Sequence, residues 1–133
     1  MEAKSSRSKT RKPAVLPSSS DRAVPGLPAD LAPIATLVAR IVERLNPEQI
    51  WLFGSRAEGR ARPDSDYDLL AVLDDTASEA SLDLLNAWEI TCGLGVPADL
   101  VPCTRSDFEW EKDEVGTLAR AAYHRGRKIY ERA

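Results

Sequence analysis

Residues 54–70, GSRAEGRARPDSDYDLL, constrain this chain more than any other stretch. A short apolar run, Ile50-Trp51-Leu52-Phe53, leads straight into Gly54-Ser55. Asp66-Tyr67-Asp68 leads into a second apolar run, residues 69–73. Both runs have strand length and are bounded by turn residues. The pattern predicts a strand, a glycine turn, a polar connection, and a strand that opens on two acids. Alternate residues of a strand share a face, so Asp66 and Asp68 project side by side, about 7 Å apart along the chain.

Two carboxylates that close repel each other, and burying them unpaired is costly. A divalent cation relieves both problems. Mg²⁺ prefers one or two protein carboxylates, completed by phosphate oxygens and water. Gly54 lets backbone approach a ligand closely. If Ser55 begins a helix, its hydroxyl and the N–H groups of that turn face an anion. A phosphate cradle beside paired acids suits a nucleoside triphosphate with Mg²⁺. The plainer alternative is an exposed Gly-Ser turn and a solvated acidic strand start. Against it, the acids stand at the mouth of the most apolar strand of the chain.

Gly54-Ser55, a ten-residue connection and Asp66-x-Asp68 together resemble the signature of the DNA polymerase β-like nucleotidyltransferase superfamily. The wider text, with Ser65-Asp66-x-Asp68-Leu69, is similar to its minimal nucleotidyltransferase branch, small proteins often paired with a HEPN-domain partner. The resemblance spans residues 30–132 and is strongest over 50–73. It implies an α/β (α+β) fold with a small mixed sheet flanked by about four helices. It also implies AMP transfer from ATP, with two Mg²⁺ ions on Asp66, Asp68 and Asp99. Gly54, Ser55 and Arg56 would meet the nucleotide. The implied role is an antitoxin that adenylylates a HEPN ribonuclease toxin, on tyrosine. Two alternatives stay open: a non-catalytic neutralising partner, and transfer to a small hydroxylated molecule such as an aminoglycoside.

Asp99 is also reached from the order of elements. Residues 98–102 form an apolar strand interrupted by that one acid. Strand, helix and strand in succession favour a parallel crossover. The start of this third strand then lies beside the start of the second, and Asp99 beside Asp66 and Asp68. An acid facing water on an edge strand is the plainer reading. With the first pair in place, a third carboxylate of the same site is favoured.

Other segments carry structure rather than chemistry. Ile34, Leu37, Val38, Ile41, Val42 and Leu45 recur at helical spacing, with Asp30 as the expected N-cap. Thr76 and Glu79 make the pattern of a capping box, opening a helix with Leu82, Leu85 and Trp88 on its core face. Ser106 and Glu109 repeat that pattern for a helix reaching about residue 114. A last helix over 117–124 should turn Leu118, Ala121 and Ala122 inward. Gly126 ends it, and residues 128–131 close the chain as a short strand. His124 is read as a surface residue and Cys92 and Cys103 as inert thiols, while Arg60 and Arg62, near the proposed phosphates, are either solvated or able to neutralise triphosphate charge.

Composition agrees with one soluble domain over 30–133. Apolar residues make up 43% of the 133, charged residues 29%, and the net charge is −3. No apolar run reaches membrane-span length, and two cysteines without zinc spacing suit a reducing cytoplasm. Residues 1–29 are rich in Ser, Pro, Lys and Arg without periodicity, as expected of a disordered basic tail. The tail could touch nucleic acid or an acidic partner. The acidic remainder gives no support to nucleic-acid binding.

Overall fold

The computed structural model describes Val24 and residues 26–133. The expected basic tail, residues 1–29, therefore falls mostly outside the described residues. A 3₁₀ turn, Ala29–Ile34, precedes helix α1, Ala35–Leu45. Strand β1, Gln49–Phe53, leads to the one-turn helix α2, Ser55–Glu58. Strand β2 is Tyr67–Leu73, helix α3 Leu84–Thr91 and strand β3 Ala98–Thr104. Helices α4, Arg105–Glu111, and α5, Leu118–Arg125, are followed by strand β4, Arg127–Glu131.

The four strands form one sheet in the order β3-β2-β1-β4. β1 runs antiparallel to both β2 and β4, and β2 runs parallel to β3. The expected parallel crossover is therefore present, as is the mixed sheet. Residue alternation sorts the core into two layers. On one face, Ile50 and Leu52 of β1 with Leu69, Ala71 and Leu73 of β2 meet Leu37, Val38 and Ile41 of α1 and Ile90 of α3. On the other, Trp51, Leu70 and Val72 meet Phe108 of α4 and Ala119 and Ala122 of α5. Both faces of β2 are buried, which is why its sequence is a continuous apolar run rather than an alternating one.

Helix starts differ from the sequence reading. Asp30 does not cap α1; it lies inside the 3₁₀ turn, and its carboxylate accepts from Arg127 Nη1 at 2.9 Å. Pro33 sits in that turn and disfavours helical backbone at the residue before it, so the regular helix begins only beyond it. Residues 76–83 form turns rather than the opening of a helix. The Thr76 hydroxyl and N–H both donate to Asp74 Oδ1, at 2.6 and 2.8 Å. Ser81 N–H donates to Ser78 Oγ at 3.1 Å. Such local bonds compete with helix. Asp83 caps α3 instead, accepting from Leu85 N–H at 3.4 Å.

The second proposed capping box is also displaced. Thr104 caps α4 by accepting from Asp107 N–H at 3.1 Å. Ser106 is occupied by the Asp75 carboxylate. The helix stops at Glu111, short of the expected end. In α5 the buried residues are Ala119 and Ala122, while Leu118 is 45% exposed. The closing strand forms as expected and pairs with β1. Gly126 is required at the α5–β4 junction, because a Cβ there would overlap the carbonyl oxygens of Leu52 and Ala122.

Candidate active site

Antiparallel β1 and parallel β3 bring three chain positions to one end of the sheet. The C-terminal end of β1 meets the N-terminal ends of β2 and β3. In register, Phe53 lies opposite Asp68, and Asp68 lies opposite Asp99. Crossing the sheet at this end, one meets Gly54, then Asp68, then Asp99. Adjacent strands are about 4.8 Å apart, so the row spans about 10 Å. Asp68 shares its face with Leu70 and Val72, and Asp99 shares the same face with Val101 and Cys103. Asp66 stands exposed just ahead of β2, and its charge is felt at Asp68.

Gly54 has φ 76°, the left-handed region that disfavours residues with a Cβ. Any Cβ there would fall inside contact distance of Asp68 Oδ2. The turn after β1 is thus pressed onto the carboxylate, which only glycine permits. The Gly54 carbonyl accepts from Ala57 N–H at 3.0 Å and Glu58 N–H at 3.1 Å, which fixes the single turn of α2.

Electrostatics mark Asp68 as the strained member. Burial, then the neighbouring charges of Asp99 and Asp66, hold its carboxyl above the ordinary carboxylate range. A half-buried acid flanked by two others has a deficit of positive charge, which a divalent cation would supply. Among the described residues no group of three or more His, Cys, Asp or Glu side chains forms a metal cage. Mg²⁺ does not need one, since it keeps waters and takes phosphate oxygens beside one or two carboxylates. The donor set therefore fits an ion that arrives with phosphate.

The nucleotidyltransferase domain family matches residues 34–124. The chain belongs to this family. No curated protein sequence matches it. Among solved structures, one described as a toxin–antitoxin crystal structure with AMP-PNP superimposes at a TM-score of 0.50, with 19% identity over 72% of each chain. A mutant of the toxin–antitoxin MntA–HpeT gives 0.48, with 18% identity over 71% of each chain. The first likeness is one of fold, the nucleotidyltransferase fold that the resemblance implied.

Within this nucleotidyltransferase domain, Arg56 does structural work that its sequence position did not reveal. Its Nε donates to the Ser65 carbonyl at 3.2 Å, and its Nη2 to the carbonyls of Ser65 at 2.9 Å and Pro63 at 3.1 Å. The guanidinium lies 4.3 Å from the centre of the Tyr67 ring. Arg56 thereby ties α2 to the connection that delivers Asp66 and Asp68. Glu58 is paired with Arg60 at 3.4 Å and Arg125 at 3.7 Å, away from the acids. His124 is exposed and bonded to Asp113 at 2.7 Å. Burial pushes the Cys103 thiol up to about 12, in keeping with an inert residue.

Trp88 is the principal correction. It was expected in the core, and it is 62% exposed. With Asp68, Asp99, Leu84, Val101 and Leu118 it lines a groove of about 400 Å³. The inward residues of α3 are Ala87 and Ile90. Helix α3 begins only at Leu84, after the Asp83 cap, so Leu82 lies ahead of it and Leu82, Leu85 and Trp88 form no buried stripe; Leu85 is 62% exposed as well.

Proposed function

We propose that this chain is a Mg²⁺-dependent nucleotidyltransferase that moves AMP from ATP to a hydroxyl of a partner protein. The partner we favour is a HEPN ribonuclease toxin, which makes the chain its antitoxin. The observation that carries the reading is the row Gly54, Asp68, Asp99, with glycine backbone pressed against the central carboxylate. Family membership supports the reaction class, and the toxin–antitoxin neighbour with AMP-PNP supports the nucleotide and the setting.

In this mechanism the backbone of Gly54 and Ser55 holds the β and γ phosphates, and Arg56 adds positive charge while keeping the connection in place. Asp66, Asp68 and Asp99 would hold two Mg²⁺ ions, whose chemistry there would be charge neutralisation at the phosphates and polarisation of the acceptor. The acceptor oxygen forms a bond to the α-phosphorus. The bond from that phosphorus to the bridging oxygen breaks, and pyrophosphate leaves with the electron pair. Asp99 takes the hydroxyl proton. Most of the acceleration comes from positioning and charge neutralisation, as in other phosphoryl transfers.

The test is label transfer. The protein is incubated with Mg²⁺, ATP labelled at the α-phosphate, and lysate of its own host. An Asp66→Asn, Asp68→Asn double variant runs beside it. A labelled protein band that is absent with the variant is the expected result, and mass identifies the acceptor. Label on a small molecule instead would assign the chain to the aminoglycoside type. A folded wild type that labels nothing would leave a binding protein that acts by contact.

A further inference from the structure

The groove beyond Asp99 has no place in the mechanism so far, yet it opens from the same two carboxylates. Its walls are Leu84 and Trp88 of α3, Val101 of β3 and Leu118 of α5, with Thr91 at one side. Leu84 is 61% exposed, Trp88 62% and Leu118 45%. Large apolar residues gathered in one exposed concavity mark a binding surface.

Which reactant enters there follows from the geometry of displacement. The attacking and leaving oxygens lie roughly in line across the transferred phosphorus. With the β and γ phosphates held at Gly54-Ser55, the leaving pyrophosphate lies on the β1 side of Asp68. The attacking hydroxyl must then approach from the opposite side, past Asp99 on edge strand β3. The groove lies on that side. We infer that Leu84, Trp88 and Leu118 form the acceptor-recognition surface, which admits a hydroxyl on a polypeptide segment flanked by apolar side chains.

The lining supports that chemistry over a sugar. Apart from the two acids and Thr91, the groove lining offers apolar side chains. A polyhydroxylated or polyamine acceptor would leave its polar groups unpaired against Leu84, Trp88 and Leu118. Leucine, valine or aromatic flanks would bury against them. Trp88 is the residue with most area to give, and tryptophan is over-represented among residues that dominate binding energy. It acts as a specificity residue: it touches the acceptor's flanks and not the phosphorus.

This inference rests on the nucleotidyl-transfer reading, and the experiment separates the two. Wild type, Trp88→Ala, Trp88→Phe and Leu118→Ser are compared with Mg²⁺ and α-labelled ATP. The acceptors are synthetic peptides, each with one serine, threonine or tyrosine between leucines or between glutamates, and kanamycin. Nucleotide affinity is measured separately with a fluorescent ATP analogue. The expected result is a preference for leucine flanks that Trp88→Ala and Leu118→Ser reduce about tenfold or more through acceptor KM, with nucleotide affinity kept within about twofold and Trp88→Phe restoring most of the preference. Circular dichroism checks that the variants stay folded, as these exposed positions should allow.

Three outcomes with an active wild type overturn the inference: no flank preference, labelling of kanamycin but of no peptide, or a Trp88→Ala loss that appears in nucleotide affinity, which would give the groove to the base. A wild type that labels protein of its host lysate but no peptide also overturns the inference, whereas one that labels no peptide, no kanamycin and no lysate protein sinks the nucleotidyl-transfer reading itself.

Discussion

At the scale of single residues, Gly54 sets how near a backbone can come to a charge. Gly54→Ala puts a methyl group into the space of Asp68 Oδ2 and forces alanine to φ 76°. The backbone penalty at φ 76°, ψ −159° is about 1–3 kcal/mol, less than the stability of an ordinary domain. The carboxylate, however, must move. The expected outcome is a folded protein whose Mg²⁺-dependent binding of a fluorescent ATP analogue is lost; unchanged affinity would show that the turn does not shape the site. Gly54, Ser55 and Asp68 were legible in the sequence because their arrangement is local, a turn and the strand after it, whereas Asp66, expected inside that strand, falls just ahead of it. Asp99 was legible one step further out, through the crossover. Trp88 was not, because its orientation depends on where α3 begins, and Thr76 and Glu79 imitate a start that Asp74 and the serines prevent.

Elements were legible to the extent that a periodic apolar run defined them. The run from Ile34 to Leu45 gave α1, and those from Ile50 and Leu69 gave β1 and β2. Caps were less legible, because a Ser/Thr-x-x-Glu pattern says nothing about which partner captures the hydroxyl. Ser106 is captured by Asp75 from another loop, and Thr104 does the capping. Thr117 is the cap with most at stake. Its Oγ1 accepts from Arg120 N–H at 3.0 Å, and its hydroxyl lies within donating distance of the carbonyls of Glu111 at 2.9 Å and Glu114 at 3.0 Å. It thus joins the end of α4 to the start of α5. Thr117→Ala should cost about 1–2 kcal/mol in urea unfolding, whereas Glu79→Ala, in a capping box that does not form, should stay within about 0.5 kcal/mol. Equal effects would mean that residues 76–83 hold helix in solution.

For the whole molecule, strand order was the least legible property. Nothing local tells β4 to pair with β1 rather than with the free edge of β3, and only the folded arrangement does. One device that fixes this closure is the pair Asp30–Arg127, which links the 3₁₀ turn to the last strand. Arg127 Nη1 and Nη2 donate to the two carboxylate oxygens at 2.9 and 3.3 Å. The Arg127 hydrogen bond is the largest of the influences that hold the Asp30 carboxyl below its ordinary value of 3.8. A carboxyl lowered by folding stabilises the native state fully above its unfolded value, and that contribution is lost as pH falls through the folded value. Asp30 is exposed and Arg127 partly so, and the effect is modest and screened by salt. Asp30→Asn should therefore melt below wild type at pH 7 and low ionic strength. The gap should narrow as pH drops below 3.8 and shrink in high salt at pH 7. Thermal melts of the two proteins across that range read it directly. A gap independent of pH would mean that Asp30 acts through the geometry of the 3₁₀ turn and not through its charge.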